Sequence, residues 1–371
     1  MPAPLQTFLK PWLDLPPTLR ARIGQVAGVV VSVLFLVLAV RLLQRELRPE
    51  VLRQIPAAMA ALSWWQVAGA VVVSLLVHLW LGAFDVLGLK TLGVPVVARE
   101  KNLEAAANGS DAGVPAARAV RTGFIAYTFV HNIGLSALTG NVIRMKRYAR
   151  FGVKPATVAK LFVCLIATMW LGFTVAFGIS IVVKPTGLLP MSAGLERALG
   201  AAMIALVAFY VALCFIAPKL GRRFTCADAV LKLPAGRHAL AQVAMGTINW
   251  LASASVLWLL LPASAAYGDV LAALCMVQVV VIASHVPGGV GVLEGTLLVL
   301  LGDRVDAAGL ATGVLLFRAI YFLMPFMISL LTLAGEQIAA RWRRRRPRTP
   351  VVDDDRRHLH DGSGAVLAAA R

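Results

Sequence analysis

Ionisable and hydrogen-bonding side chains interrupt several long apolar stretches of the sequence, and they are the first candidates for chemistry. Asp85 lies near the end of one such stretch, and Arg318 lies inside another. His131 and Asn132 adjoin a glycine, and Glu294 follows a glycine-rich turn. Burying an ionised group without a partner is costly. We therefore expect these side chains to bind or gate a ligand, or to pair with one another.

The most informative stretch is residues 284–295, SHVPGGVGVLEG, which contains His285 before the paired Gly288 and Gly289. Proline and paired glycines stop a helix. A helix that opens after such a turn presents free N–H groups and the positive end of its dipole, which suit a phosphate. The alternative is that Glu294 only pins the turn to a neighbouring arginine. The lysine of a nucleotide-binding loop is absent, which excludes that motif.

A second broken stretch carries His131 and Asn132 and continues through Gly140 to Arg144. Arg144 directly follows this turn and is the first residue of a basic cluster. Because it adjoins the turn, it is the residue of the cluster whose side chain we expect to point inward. The alternative for His131 and Asn132 is a structural role, in which they bond backbone groups that the break sets free.

Asp85 and Arg318 also have two interpretations each. Asp85 is either solvated at the membrane interface or a cavity-facing carboxylate that meets a cation or an arginine. Arg318 is an internal partner of Glu294 or Asp85, or a phosphate ligand, unless it extends to the outer surface.

The composition places these residues in a membrane protein. The chain has 371 residues, of which 59% are hydrophobic and 15% charged, with a mean hydropathy of +0.79. Soluble domains are about 45–50% apolar and about 25% charged. A spanning helix needs roughly 20 apolar residues. The sequence has eight apolar segments: 24–43, 66–89, 122–143, 159–183, 199–218, 239–262, 270–301 and 310–334.

The distribution of Lys and Arg predicts the topology. If segment 122–143 is a re-entrant hairpin, 18 basic loop residues lie inside and 7 outside, whereas full crossing gives 14 and 11. The positive-inside rule favours the hairpin, and segment 270–301 becomes a second hairpin from the other face. This gives an all-α polytopic protein with six full spans, two re-entrant hairpins and an inverted-topology repeat, whose site lies near the midplane.

Both termini are expected in the cytoplasm. Residues 1–23 form an N-terminal segment, 24–334 the transmembrane domain, and 335–371 a basic, largely disordered tail. The tail stretch from Arg341 to Arg348 should contact anionic lipid. The net charge is +18, and the basic residues lie in the loops and the tail rather than in a folded basic domain. Nucleic-acid binding is therefore not expected. Neither a metal site nor a disulfide is implied by the four cysteines.

The stretch 127–152, with Asp85 before it and PGGVGVLEG after it, resembles the membrane half of the lysylphosphatidylglycerol synthase/flippase family. The resemblance covers roughly residues 20–335. It implies a lipid-flipping domain and carries site roles onto Asp85, Arg144, Glu294 and Arg318. Family members often have Asn-Asn where this chain has His131-Asn132. The residues after the last span are too few for the aminoacyl-transferase domain of some members, so no enzymatic activity is expected.

These observations predict a protein of a bacterial-type inner membrane that binds a phospholipid or lipid-linked head group and translocates it between leaflets, without a cofactor. Phosphate would bind at the hairpin turns and arginines, while Asp85 and Glu294 hold a cationic head group or gate the cavity through arginine pairing. An alternative is an accessory subunit for a membrane glycosyltransferase or aminoacyl-transferase. An intramembrane enzyme with His131 and His285 as bases is disfavoured because no nucleophile or metal set accompanies them.

Cysteine labelling tests the predicted topology. In a variant without native cysteines, Asn108→Cys should react only with a reagent applied from the cytoplasm, and Pro190→Cys only from outside, because loops 90–121 and 184–198 lie on opposite faces of the hairpin model. Labelling of position 108 from outside would overturn the inverted repeat.

Overall fold

The computed structural model describes residues 49–98, 113–133, 136–185, 187, 191–216, 233–284 and 286–345. Predicted segments 1–23 and 24–43 lie outside the described residues. Helix α1 (Pro49–Ala61), which was not predicted, precedes α2 (Trp64–Thr91). Ser63 caps α2 at its start, since its side chain accepts from the Trp65 N–H while the Gln66 side chain accepts from the Ser63 N–H.

The other described elements are mostly helices. After α2, the two-residue strands β1 (Val96–Val97) and β2 (Val114–Pro115) pair in parallel just before the next helix. The helices that follow are α3 (Ala116–Ile133), α4 (Ser136–Tyr148), α5 (Pro155–Val183), α6 (Ala193–Ile216), α7 (Gly236–Leu259), α8 (Tyr267–Ser284), α9 (Val292–Leu301), α10 (Ala307–Phe317) and α11 (Met324–Arg345). Short 3₁₀ turns lie at Ala149–Phe151 and Pro287–Gly289, and a π-helix, Arg318–Leu323, joins α10 to α11.

Within the described residues, six helices are long and apolar enough to cross a membrane. They are α2, α5, α6, α7, α8 and the continuous helical stretch Ala307–Ala339. The prediction of an all-α polytopic membrane protein is therefore confirmed. Each predicted apolar segment from 66–89 onward contains one of these helices or one of the two broken segments.

The first broken segment forms two antiparallel helices, α3 and α4, which we call the first hairpin. Tyr148 at the end of α4 lies within 3.5 Å of the Ala119 carbonyl near the start of α3. Gly140 near the start of α4 lies against Val130 near the end of α3. At about 1.5 Å per residue, the 13 residues of α4 are too short to cross a bilayer.

The second broken segment forms α8 and α9, which pack together and which we call the second hairpin. Here α9 has only 10 residues. The tips of the two hairpins meet, because a Cβ atom added at Gly288 would lie 2.6 Å from the Asn132 carbonyl oxygen. The order of helix, hairpin and helix thus occurs twice, in α2 to α5 and in α7 to α11. Re-entry from opposite membrane faces stays a prediction.

Glycines allow the helix backbones of the core to touch. Gly172 of α5 meets Gly246 of α7 backbone to backbone, and Gly123 of α3 lies against Gly82 of α2. Without a side chain, such positions gain close van der Waals contact, the main source of helix association in lipid. These contacts hold α5 against α7, and α3 of the first hairpin against α2.

The chain divides into two units, residues 1–329 and 330–371. In the second unit the helix continues to Arg345, and Arg341 and Trp342 are exposed. The sequence predicted a largely disordered tail from residue 335, whereas residues 335–345 are helical. Their Glu, Gln, Ala and Arg residues favour a helix. Residues 346–371, including the end of the predicted lipid-binding stretch, lie outside the described residues.

The close approach of α5 and α7 can be tested by adding a side chain. Gly172→Val should destabilise the folded protein by at least about 1–3 kcal/mol, because the new atoms meet backbone that cannot move aside. The readout is the melting temperature of the purified protein in detergent. Gly194→Ala is the matched control, since no neighbouring atom lies within 4 Å of a Cβ there. Equal melting temperatures for both variants would contradict the packing described.

Candidate functional site

A buried ion pair joins α2 to the first hairpin. The Arg144 Nε donates to both Asp85 carboxylate oxygens at 3.1 and 2.9 Å, and its Nη2 donates to Oδ1 at 2.9 Å. The side chains of Asp85 and Arg144 are 0% and 2% exposed. Asp85 is therefore not solvated at an interface, and its partner is Arg144 rather than Arg318.

Two tyrosines complete this pair. The Tyr148 hydroxyl donates to Asp85 Oδ2 at 2.6 Å, and the Arg144 guanidinium lies 5.0 Å from the Tyr127 ring centre. Each carboxylate oxygen is thus satisfied by donors of the protein. Separating the pair would leave a buried charge without a partner, which is strongly unfavourable. The pair therefore holds α4 firmly on α2, and we call it the clamp.

A second ion pair joins the second hairpin to the last span. The Arg318 Nη2 and Nε lie 2.6 and 2.7 Å from Glu294 Oε1. Arg318 also donates to the carbonyls of Gly288 at 2.8 Å and Gly289 at 3.3 Å. The Arg318 and Glu294 side chains are 16% and 12% exposed. This pair is therefore more accessible than the first.

The glycine-rich turn uses its polar groups differently from the prediction. Gly288, Gly289 and Gly291 adopt φ values of +63°, +58° and +78°, which favour glycine. The Gly291 N–H donates to Glu294 Oε2 at 2.7 Å, and the Gly289 N–H donates to the Val286 carbonyl at 2.9 Å. These N–H groups are therefore not free for a phosphate in this conformation. The Gly291 N–H is occupied because Glu294, the third residue of α9, supplies its own carboxylate as the anion.

The π-helix lies beside both hairpin tips. Its wider turn leaves some backbone carbonyls without the internal hydrogen bond that they would have in a regular α-helix. The Asn132 side-chain amide donates to the Phe322 carbonyl at 3.1 Å and to the Thr128 carbonyl at 2.9 Å. The Ser74 hydroxyl donates to the Ile320 carbonyl at 2.9 Å. Asn132 therefore makes the contacts with backbone groups that were expected for its alternative, structural role.

Aromatic and imidazole rings fill the space between these contacts. The His78 ring centre lies 6.0 Å from that of His131 and 4.9 Å from that of Tyr321. His131 stacks on Tyr321 at 6.2 Å, and the Tyr321 hydroxyl lies 2.8 Å from the Ser253 hydroxyl. His78 Nδ1 donates to the Ser74 carbonyl at 2.8 Å. α2, α3, α7 and the π-helix thus meet at one point.

The structure places most of the predicted residues on one polar band. Asp85 and Arg144 form its first part, His131 and Asn132 its middle, and the glycine turn, Glu294 and Arg318 its last part. His285 lies outside the described residues. In the described part of the chain, no group of three or more His, Cys, Asp or Glu side chains is placed to hold a metal ion.

Sequence reasoning missed several members of this band. Tyr148 lies four residues after Arg144, and Tyr321 lies three residues after Arg318, so helical spacing from each arginine was a usable signal. Ser74 lies one turn before His78 and had no signal of its own. A separate ion group was also missed, in which Asp269 lies 2.9 Å from Arg304 and 3.4 Å from Lys184.

Comparison with known proteins identifies two relatives. No protein-family model matches the chain. It is 30% identical to the inner membrane protein YbhN of Escherichia coli K12 over 213 residues, which cover 56% of this chain and 66% of YbhN, just under two thirds. It is 24% identical to the uncharacterized protein slr0712 of Synechocystis sp. PCC 6803 over 338 residues, or 88% and 97% of the two chains. The chain is a multi-pass membrane protein similar to YbhN.

The first ion pair should contribute mainly to stability. Asp85→Asn should lower the free energy of unfolding by about 3–5 kcal/mol, because Arg144 is left buried without a counter-charge. Tyr148→Phe should lower it by about 1–3 kcal/mol, the range for a hydrogen bond to a charged group. Lys184→Ala is the control, since this exposed partner of Asp269 should contribute at most about 1 kcal/mol. Melting in detergent measures all three, and a stable Asp85→Asn variant would contradict the clamp.

Proposed function

We propose that the protein binds a phospholipid or lipid-linked head group within the membrane and moves it between the leaflets. The resemblance to the lysylphosphatidylglycerol synthase/flippase family supports this function. The name of the E. coli relative supports a location in a bacterial inner membrane.

The observation that carries the proposal is the partly accessible Glu294–Arg318 pair at the meeting point of the hairpins. A guanidinium binds carboxylate and phosphate through the same forked geometry. A guanidinium that is largely out of water needs an anionic partner or hydrogen-bond acceptors. A lipid phosphate that reaches Arg318 therefore competes directly with Glu294.

This exchange couples head-group binding to the shape of the hairpin tip. While it is paired with Glu294, Arg318 also holds the carbonyls of Gly288 and Gly289. A phosphate on Arg318 releases Glu294, and with it the Gly291 N–H that Glu294 caps. The freed Gly291 N–H at the start of α9 then becomes a donor for the phosphate. A ligand shifts a conformation only by such a difference in contacts between two states.

The Asp85–Arg144 pair has the opposite role in this proposal. It is fully buried and every oxygen has a donor, so it holds the first hairpin on α2 while the second hairpin rearranges. The site thus combines one fixed pair with one exchangeable pair. The two pairs lie on either side of the tip contact between Asn132 and Gly288.

Removing the charge of Glu294 tests the proposal. Glu294→Gln should abolish translocation with little loss of folded protein, because the amide keeps the shape and can still accept from Gly291. Arg318, unlike the enclosed Arg144, is 16% exposed and keeps two carbonyl acceptors. Glu294→Ala should also destabilise the fold, because Arg318 loses its partner. The measurement is the rate at which fluorescent phospholipids with different head groups change leaflets in liposomes that contain the purified protein.

Asp269→Asn is the matched control for this assay, since it removes a carboxylate from an ion group outside the band and should leave the rate unchanged. Translocation by Glu294→Gln at the wild-type rate would reduce Glu294 to a structural pin. Lipid binding without translocation by the wild-type protein would favour the accessory-subunit function instead.

A further inference from the structure

Three buried polar atoms in the first hairpin form no hydrogen bond with any described residue. They are the Tyr127 hydroxyl, His131 Nδ1 and Asn141 Oδ1. The Tyr127 side chain is deeply buried, with the residue only 8% exposed. A buried polar group without a partner costs about 1–3 kcal/mol. Three of them in one hairpin therefore indicate a place where a ligand supplies the missing bonds.

The three atoms belong to the same part of the hairpin. Tyr127 and His131 are one helical turn apart on α3, with ring centres 6.2 Å apart. Asn141 lies on the antiparallel α4, next to Gly140, which contacts Val130. This part of the first hairpin lies between the Asp85–Arg144 clamp and the tip contact with the second hairpin. The Phe322 ring links this part to Arg318, because its centre lies 6.0 Å from that of His131 and 4.8 Å from the Arg318 guanidinium.

In the conformation described, the carboxylates of the band are engaged by donors of the protein. Asp85 accepts three hydrogen bonds from Arg144 and one from Tyr148. Glu294 accepts from Arg318 through Oε1 and from the Gly291 N–H through Oε2.

The aromatic faces that could hold a cation are also occupied. The guanidinium of Arg144 covers the Tyr127 ring at 5.0 Å, and that of Arg318 covers the Phe322 ring at 4.8 Å. A cation that approached either ring would meet an arginine of the same charge. An ammonium group would therefore lose its hydration without gaining a counter-charge.

We infer that the head group handled by this site carries hydroxyl groups, as glycerol or a sugar does, and that it is joined to the phosphate bound at Arg318. This inference rests on the proposed function. A hydroxyl both donates and accepts, so it can match a tyrosine hydroxyl, an imidazole nitrogen and an amide oxygen together. A site built to hydrogen-bond a substrate hydroxyl discriminates strongly against analogues that lack it.

The experiment compares three fluorescent lipids with the full-length protein in detergent micelles: phosphatidylglycerol, a polyprenyl-phosphate-linked glucose and phosphatidylethanolamine. Dissociation constants are measured by titration. The two hydroxyl-bearing lipids separate a glycerol source from a sugar source, and at least one of them should bind more tightly than phosphatidylethanolamine. Arg318→Gln should weaken all phosphate-bearing lipids that bind.

The decisive variant is Tyr127→Phe, which removes only the hydroxyl. It should weaken the favoured hydroxyl-bearing lipid about five-fold, the effect of one lost hydrogen bond, and leave phosphatidylethanolamine unchanged. Tyr267→Phe is the matched control, because its hydroxyl donates to the Leu251 carbonyl at 2.8 Å outside the band. It should leave all three constants unchanged.

The outcomes distinguish this inference from the proposed function. Equal or tighter binding of phosphatidylethanolamine, or no effect of Tyr127→Phe on the hydroxyl-bearing lipids, overturns the inference. The proposed function survives that result if Arg318→Gln still weakens lipid binding. If the folded wild-type protein binds none of the three lipids, both fail.

Discussion

Inside a bilayer, every backbone carbonyl or N–H group that leaves a regular helix must find its partner within the protein, because lipid offers none. This chain interrupts its helices at two hairpin tips and at one π-helix, and it brings the three interruptions together. Arg318 bonds the carbonyls of Gly288 and Gly289, while Asn132 bonds the Phe322 carbonyl. The second hairpin tip and the π-helix are thus each bonded by a side chain from another of the three interruptions.

The same constraint explains why the two ion pairs differ. Asp85–Arg144 joins side chains of regular helices, and it can be fully enclosed because no loose backbone surrounds it. Glu294–Arg318 lies at a turn, where the backbone itself needs donors, so Arg318 divides its hydrogen bonds between a carboxylate and two carbonyls. A guanidinium that shares its hydrogen bonds among several acceptors can exchange one acceptor and keep the others. Accessibility and adaptability therefore coincide at the second hairpin.

The sequence predicted the features that depend on local composition. Apolar segments of spanning length gave the helices, and the proline and glycines of 284–295 gave the second break. Glu294 and Arg318 are charged residues within apolar segments, which predicted that each would need a partner of opposite charge. The choice of partners could not be predicted, because it depends on which helices touch, and Arg144 and Arg318 were equivalent candidates until α2 was placed on α4. The Arg318–Leu323 segment also gave no signal, since all of its residues are compatible with an ordinary α-helix.

The π-helix has a geometric consequence for the last span. In a regular helix each residue turns by about 100°, so residues eleven apart, such as Arg318 and Ser329, would point in nearly the same direction. A π-turn takes up extra residues and shifts the angular phase of everything after it. Arg318 therefore bonds the second hairpin, whereas Ser329 lies 2.7 Å from Thr128 of the first. The same helical stretch thereby presents polar side chains to both hairpins. A rotation of this helix about its axis would therefore change its contacts with both hairpins at once.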